Sequence, residues 1–173
     1  MSKKITAIVI GAGMRGMGYS NTAKKMPEEY EIVAVADPVE CRREYVKEQW
    51  GIPADRCFTH YEEILALGKI ADAAFICTMD RDHFAPTMKA IELGYDIMLE
   101  KPIAPTPEEC AAITKAANEK GVKVLYSLFA VGFLYVACRC IPVNAKHFIV
   151  VSFCHILMLF AHSNFCVAYY FIV

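Results

Sequence analysis

"KITAIVIGAGMRG", residues 4–16, starts as a short, almost continuous apolar run and breaks at Gly11 into a G-x-G-x-x-G pattern. β-Formers without polar alternation suit a strand covered on both faces, as in a parallel sheet. Glycines that follow such a strand and open a helix have separate uses. Gly11 permits the tight turn, Gly13 lets the backbone approach a pyrophosphate, and Gly16 lets the helix pack closely on the strand. The N-terminus of that helix offers free amides and the positive end of its dipole to phosphate, so Met14 and Arg15 join the glycines as candidate cofactor-binding residues.

Outward from this stretch, strands and helices alternate. A helix over 15–26 is broken by Pro27, and 31–36 (Glu-Ile-Val-Ala-Val-Ala) reads as the next strand. A charged helix over 39–50 closes at Gly51. A short strand at 57–59 and a short helix at 61–67 follow. Then come an apolar strand at 72–77, a helix at 82–93 stopped by Gly94, and a strand at 96–100. Thr106-Pro107-Glu108-Glu109 predicts a capping box with proline at the tolerant first position. That helix runs to Lys120, Gly121 ends it, and a sixth strand begins at 122. Such alternation implies right-handed crossovers and a doubly wound parallel sheet, the Rossmann arrangement, with ligands at the strands' carboxyl ends.

Every chemistry-bearing stretch falls at one of those ends. Asp37 stands 21 residues past Gly16, after the second strand, where a carboxylate accepts from ribose hydroxyls. The acid favours NAD, because it repels the 2′-phosphate of NADP, although Arg42 or Arg43 folding back would meet that phosphate. In Thr78-Met-Asp-Arg-Asp-His83, Asp82 is placed to cap a helix and His83 to face the crevice from its first turn. Glu100-Lys101-Pro102 ends the neighbouring strand. A partly desolvated Lys101, paired with Glu100, would donate to a substrate hydroxyl or relay its proton, and Pro102, for which a cis bond is one option, would fix the chain direction. The bland alternative is an exposed ion pair worth under about 1 kcal/mol.

Composition divides the chain. Residues 1–125 hold 16 Lys/Arg and 19 Asp/Glu, spread as on an ordinary soluble surface. Residues 126–173 hold only Arg139 and Lys146, no acid, and 36 apolar side chains out of 48. No basic run points to nucleic acid. The N-terminal Met-Ser-Lys-Lys-Ile-Thr has no apolar leader, so secretion is not expected and a cytoplasmic location is. Cys41, Cys57, Cys77 and Cys110 are scattered singly and read as reduced thiols. Cys138, Cys140, His147, Cys154, His155, His162 and Cys166 are zinc-ligand types, but their spacing is not that of a zinc site, and no metal is expected.

Gly11-Ala-Gly-Met-Arg-Gly, Ala36-Asp-Pro, Thr78-Met-Asp-Arg-Asp-His83 and Gly94-Tyr-Asp-Ile-Met-Leu-Glu-Lys-Pro, in this order and spacing, resemble the N-terminal domain of the Gfo/Idh/MocA family of NAD(P)-dependent oxidoreductases. The resemblance covers about residues 4–125. It implies a Rossmann domain followed by a larger α/β domain, and hydride transfer between NAD(P) and sugars, inositols or related polyols. By position it places Gly11, Gly13 and Gly16 on the pyrophosphate and Asp37 on the adenosine ribose. Thr78 and His83 fall along the nicotinamide side, and Lys101 on the reacting hydroxyl, its approach shaped by Glu100 and Pro102. After residue 125 the resemblance stops, and an atypical apolar tail takes the place of the second domain. A reading-frame change near residue 126 is the first explanation. A membrane anchor over 148–173 is the alternative, and an unfamiliar structural extension is the third. The expected function is therefore an NAD(P)-binding oxidoreductase domain whose active site is incomplete in this chain. The competing readings are a non-catalytic dinucleotide-binding module, tethered to a membrane or not, and a non-functional product.

Overall fold

The computed structural model describes residues 3–127 and 148–151. Within these residues seven parallel strands form one sheet: β1 (Ile5–Ile10), β2 (Tyr30–Ala36), β3 (Cys57–Phe58), β4 (Ala73–Ile76), β5 (Asp96–Leu99), β6 (Val124–Ser127) and β7 (Phe148–Val151). Their spatial order is β3-β2-β1-β4-β5-β6-β7, so the chain builds outward from β1 in one direction and then returns to build outward in the other. The reversal lies between β1 and β4, which pair directly from Ala7↔Ala73 to Ile10↔Ile76. Connections diverging from that seam open a crevice at its carboxyl end.

Among the described residues five α-helices flank the sheet: α1 (Met14–Ala23), α2 (Glu40–Trp50), α3 (Tyr61–Ala66), α4 (Phe84–Leu93) and α5 (Pro107–Lys120). The central strands β1, β4 and β5 are mostly apolar because both faces are covered. Ala7 and Val9 point with Phe75 and Met98 toward α1 and α2, where Tyr19 and Val46 meet them. Ile8 and Ile10 point with Ile76, Ile97 and Leu99 toward α3, α4 and α5, where Leu65, Ile91 and Ile113 close the core. The predicted doubly wound sheet is the observed one.

Several boundaries differ from expectation. The first helix ends at Ala23, short of 26, and the chain turns through Met26 before β2. Residues 80–82 form a separate 3-10 turn, and α4 starts only at Phe84 with His83 at its N-cap. Asp82 is therefore not the side-chain cap of that helix; it lies one position too early. The capping box on α5 forms as predicted: the Glu109 amide donates to the Thr106 hydroxyl at 3.2 Å, and the Thr106 amide donates to Glu109 Oε2 at 3.3 Å.

β6 extends to Ser127, and Phe148–Val151 pairs in parallel with it as β7. Four residues within the 148–173 stretch, for which an anchor was the alternative reading, thus form a strand in the sheet. Among the described residues no helix is long and apolar enough to cross a membrane. The rest of that stretch and the zinc-ligand types of the tail lie outside the described residues.

At the amino end of the seam, Asp72 ties β4 to β1. It accepts from Lys3 Nζ at 2.8 Å, the Thr6 amide at 3.0 Å and the Thr6 hydroxyl at 2.9 Å. Burial would push its carboxyl up, but these donors outweigh burial and hold it below its ordinary value. A folded value lying below the unfolded one gives stability that is present above about pH 4 and lost as pH falls through the folded value. Asp72→Asn is therefore expected to show a shallower acid limb of unfolding, followed by circular dichroism from neutral pH downward. An acid limb identical to that of the parent would remove Asp72 as a contributor.

Candidate active site: a crevice at the sheet's switch point

β1 runs into Gly11, whose amide donates to the Ala36 carbonyl at 2.8 Å. Gly11 has φ +89°, and a Cβ there would lie 2.4 Å from the Cys77 carbonyl oxygen at the end of β4. At Gly16 a Cβ would lie 2.0 Å from the Gly11 carbonyl oxygen. Both positions are glycine because the protein itself leaves no room. Gly13 is different: the nearest protein atom to a Cβ there is Arg42 Nη1, at 4.0 Å. Gly13 is half-buried, and no contact across the protein requires glycine there. The helix beginning at Met14 has neither a side-chain cap nor an acidic residue in its first turn. Its first amides, which find no partner within the helix, therefore face the crevice without a built-in anion. Met14 itself is 84% exposed. A dinucleotide's pyrophosphate fits this cradle, which an added Cβ would fill.

Asp37 stands at the end of β2, 4% exposed. One of its carboxylate oxygens accepts from the Ala12 amide at 2.7 Å and the other from the Val39 amide at 2.8 Å. The carboxylate thus braces the glycine loop from below while bordering the crevice. Arg43 Nη1 donates to the Asp37 carbonyl at 2.7 Å. A cavity of about 260 Å³ opens here, bordered by Asp37, Pro38, Arg42, Thr59, His60 and Thr78 among others.

Glu100 is buried, and its partners differ from expectation. Its Oε1 accepts from the Tyr19 hydroxyl and faces Arg15 Nε at 3.4 Å, while Oε2 accepts from the Lys101 amide at 2.8 Å. The expected pairing of Glu100 with the Lys101 ammonium is replaced by one with Arg15 and Tyr19, because the acid turns under the sheet toward α1. Lys101 is exposed, and none of the ion pairs among the described residues includes it. The Lys101–Pro102 bond is cis. Tyr19 carried no motif in the sequence. Its signal was spacing alone, since it lies one helical turn after Arg15 on the same face of α1.

His83 is fully buried and does not open into the crevice. Its Nδ1 lies 2.6 Å from the Pro102 carbonyl oxygen and its Nε2 3.2 Å from that of Thr78. The ring therefore bridges the segments that leave β4 and β5. Thr78 itself borders the crevice, and its hydroxyl donates to the Asp82 carbonyl at 3.0 Å. Cys77, beneath this cluster, is held as a thiol: burial pushes it well above its ordinary value and the Glu100 charge adds to the effect.

Comparison with known proteins agrees with this architecture. Residues 5–128 match the oxidoreductase family GFO_IDH_MocA, described as carrying an NAD-binding Rossmann fold. The chain belongs to the Gfo/Idh/MocA oxidoreductase family.

Curated Gfo/Idh/MocA relatives include D-glucoside 3-dehydrogenase of Escherichia coli, 26% identical over 125 residues, or 72% of this chain and 35% of that protein. Scyllo-inositol 2-dehydrogenase (NAD(+)) of Bacillus subtilis is 30% identical over 122 residues, 70% of this chain and 35% of that one. A scyllo-inositol 2-dehydrogenase (NADP(+)) of the same organism is 27% identical over 114 residues, covering 66% and 30%. The chain thus matches about a third of the length of these relatives. Among solved structures, scyllo-inositol dehydrogenase from Lactobacillus casei with bound NAD(H) and scyllo-inositol superposes with a TM-score of 0.65 at 18% identity, over 72% of this chain and 36% of that one. The WlbA dehydrogenase from Bordetella pertussis, in complex with NADH and UDP-GlcNAcA, gives 0.65 at 23%, over 72% and 37%. At these identities the structural likeness speaks for the fold.

Proposed function

We propose that this domain is the dinucleotide-binding half of an oxidoreductase that moves a hydride between NAD and an alcohol carbon of a sugar, inositol or related polyol. The observation that carries the reading is Gly13: open on the crevice side, next to an uncapped helix N-terminus, and glycine for no reason internal to the protein. Gly11 and Gly16 shape that loop, and the amides at Met14 and Arg15 belong to the turn that would receive the phosphates. Asp37 braces the loop through two amides. Each carboxylate oxygen keeps further acceptor capacity for a ribose hydroxyl.

The nicotinamide, when bound, supplies the acceptor or donor of hydride. Lys101, exposed where β5 ends, holds the substrate hydroxyl and moves its proton. Glu100 fixes the lysine's backbone through its amide, and His83 fixes Pro102 against Thr78. Glu100, Pro102 and His83 thus act by positioning rather than by touching substrate. The reduced thiols and the NAD pool of the cytoplasm suit such a protein.

The test is calorimetric titration of NAD into the full chain, paired with spectrophotometric assay of inositols and hexoses. One-to-one binding of NAD is expected. Absence of binding heat in protein shown to be folded would sink the reading. The second reading, binding without catalysis, gains if NAD binds and Lys101→Ala leaves every polyol rate unchanged.

A further inference from the structure

Arg15 places a guanidinium in the first turn of α1, the turn whose amides face the crevice. Its side chain is 36% exposed, and its Nε lies 3.4 Å from Oε1 of Glu100, whose side chain is only 6% exposed. That oxygen also accepts from the Tyr19 hydroxyl, and Oε2 accepts from the Lys101 amide at 2.8 Å. Two donors besides Arg15 therefore anchor the acid, so the arginine is drawn to the acid and not the acid to the arginine.

A charge buried in this way is screened much less by solvent than an exposed one. Glu100 consequently acts on the glycine loop in two opposed ways. It keeps a long, flexible cation beside the helix N-terminus, and it offsets part of the positive potential that this cation and the helix dipole create there. Glutamine in its place separates the two effects. A carboxamide retains an acceptor oxygen for the guanidinium while the negative charge is gone, so a gain in anion affinity measures the offset alone.

Resting on the dinucleotide reading above, we propose that Glu100 is an internal counter-anion of the glycine loop: it shares Arg15 with an incoming diphosphate and thereby loosens the domain's hold on that ligand. The competition is electrostatic, so it acts on a diphosphate with or without a nicotinamide. It is also reciprocal. A diphosphate that draws on Arg15 relaxes the tie between α1 and the segment that carries Lys101, and arrival of the cofactor is felt at the lysine.

Calorimetric titration of the full chain with NAD and with ADP tests this for the parent, Glu100→Gln, Arg15→Met and the double variant, with folding of each followed by circular dichroism. Glu100→Gln is expected to bind both ligands at least threefold tighter than the parent, although the same substitution weakens the fold. Arg15→Met is expected to bind both at least fivefold more weakly. An acid with a purely structural role gives the opposite sign, so lost or unchanged affinity in folded Glu100→Gln overturns the proposal. Should Glu100→Gln not fold, the double variant, which leaves no unpaired charge, decides: affinity at least threefold above that of Arg15→Met upholds the counter-anion, and no recovery overturns it. If neither NAD nor ADP binds folded parent, the dinucleotide reading itself fails; if both bind and removal of the acid brings no gain, only the counter-anion does.

Discussion

Gly11→Ala is expected to abolish cooperative folding or to lower the thermal midpoint by more than about 10 °C, which at this chain length corresponds to a loss of roughly 4 kcal/mol. Two effects add. An alanine at φ +89° adopts a left-handed backbone costing about 1–2 kcal/mol. Its Cβ would also sit 2.4 Å from the Cys77 carbonyl oxygen, forcing β1 and β4 apart at the seam on which the sheet is centred. Against a total stability of about 5–15 kcal/mol, such a loss decides whether the domain folds. Gly13→Ala supplies the contrast. Apart from the chain next to it, only the end of the Arg42 side chain comes as near as 4.0 Å to the new methyl group. Its cost is expected to stay near 1 kcal/mol, the penalty for alanine at a helix N-cap, while NAD affinity falls at least tenfold. Thermal melts and calorimetric titration of the two variants separate a fold-required glycine from a ligand-required one. Equal destabilisation by both substitutions would show that Gly13 is glycine for packing, and the open-cradle argument would fail.

The second large effect lies at Glu100. Glu100→Gln keeps the shape of the side chain but removes the charge facing Arg15 and leaves the Tyr19 hydroxyl with a weaker acceptor. Breaking a buried ion pair from one side costs about 3–5 kcal/mol. Arg15 is partly open to water, with a side chain 36% exposed, so the expected loss is nearer 2–3 kcal/mol, since solvent screens such pairs. Urea unfolding of Glu100→Gln, Tyr19→Phe and the double variant measures it. A coupling of at least about 1 kcal/mol is expected if the three groups act as one unit. Strict additivity would mean that Tyr19 and Glu100 stabilise the domain independently. The result also bears on the site, because this network joins the helix that begins at the glycine loop to the segment that carries Lys101.

How far the site was legible depended on whether its residues act through neighbours in sequence. The glycine loop, the alternation of apolar strands with helices and the capping box at Thr106 all follow from contacts within a few residues. Their patterns appear in one-dimensional spacing. Most of the misreading concerned residues with partners distant in sequence. Glu100 was assigned to its neighbour Lys101, but the acid turns under the sheet to meet residues 81 and 85 positions away, Tyr19 and Arg15. His83 was expected at the crevice because it opens a helix at a strand's carboxyl end. Burial instead sets it between two carbonyls, one of them 19 residues on. Asp82 missed its capping role by one position, because a 3-10 turn took up the residues before α4.

By itself, then, the amino-acid sequence determined the class of fold, the strand that begins it, the glycine-rich loop that follows that strand and the family. Each is encoded in local backbone preference and in apolar periodicity, which act before the chain closes on itself. The tertiary structure alone decided which side chains are spent on holding the crevice and which remain to meet a ligand. Asp37 and Arg43 are committed to backbone groups, Glu100 to α1 and His83 to two loops, while Gly13, Arg42 and Lys101 stay open. The physical reason is that a buried polar group must find a partner wherever the fold supplies one, and the partners that satisfied these groups came together only when β1, β4 and β5 were laid side by side.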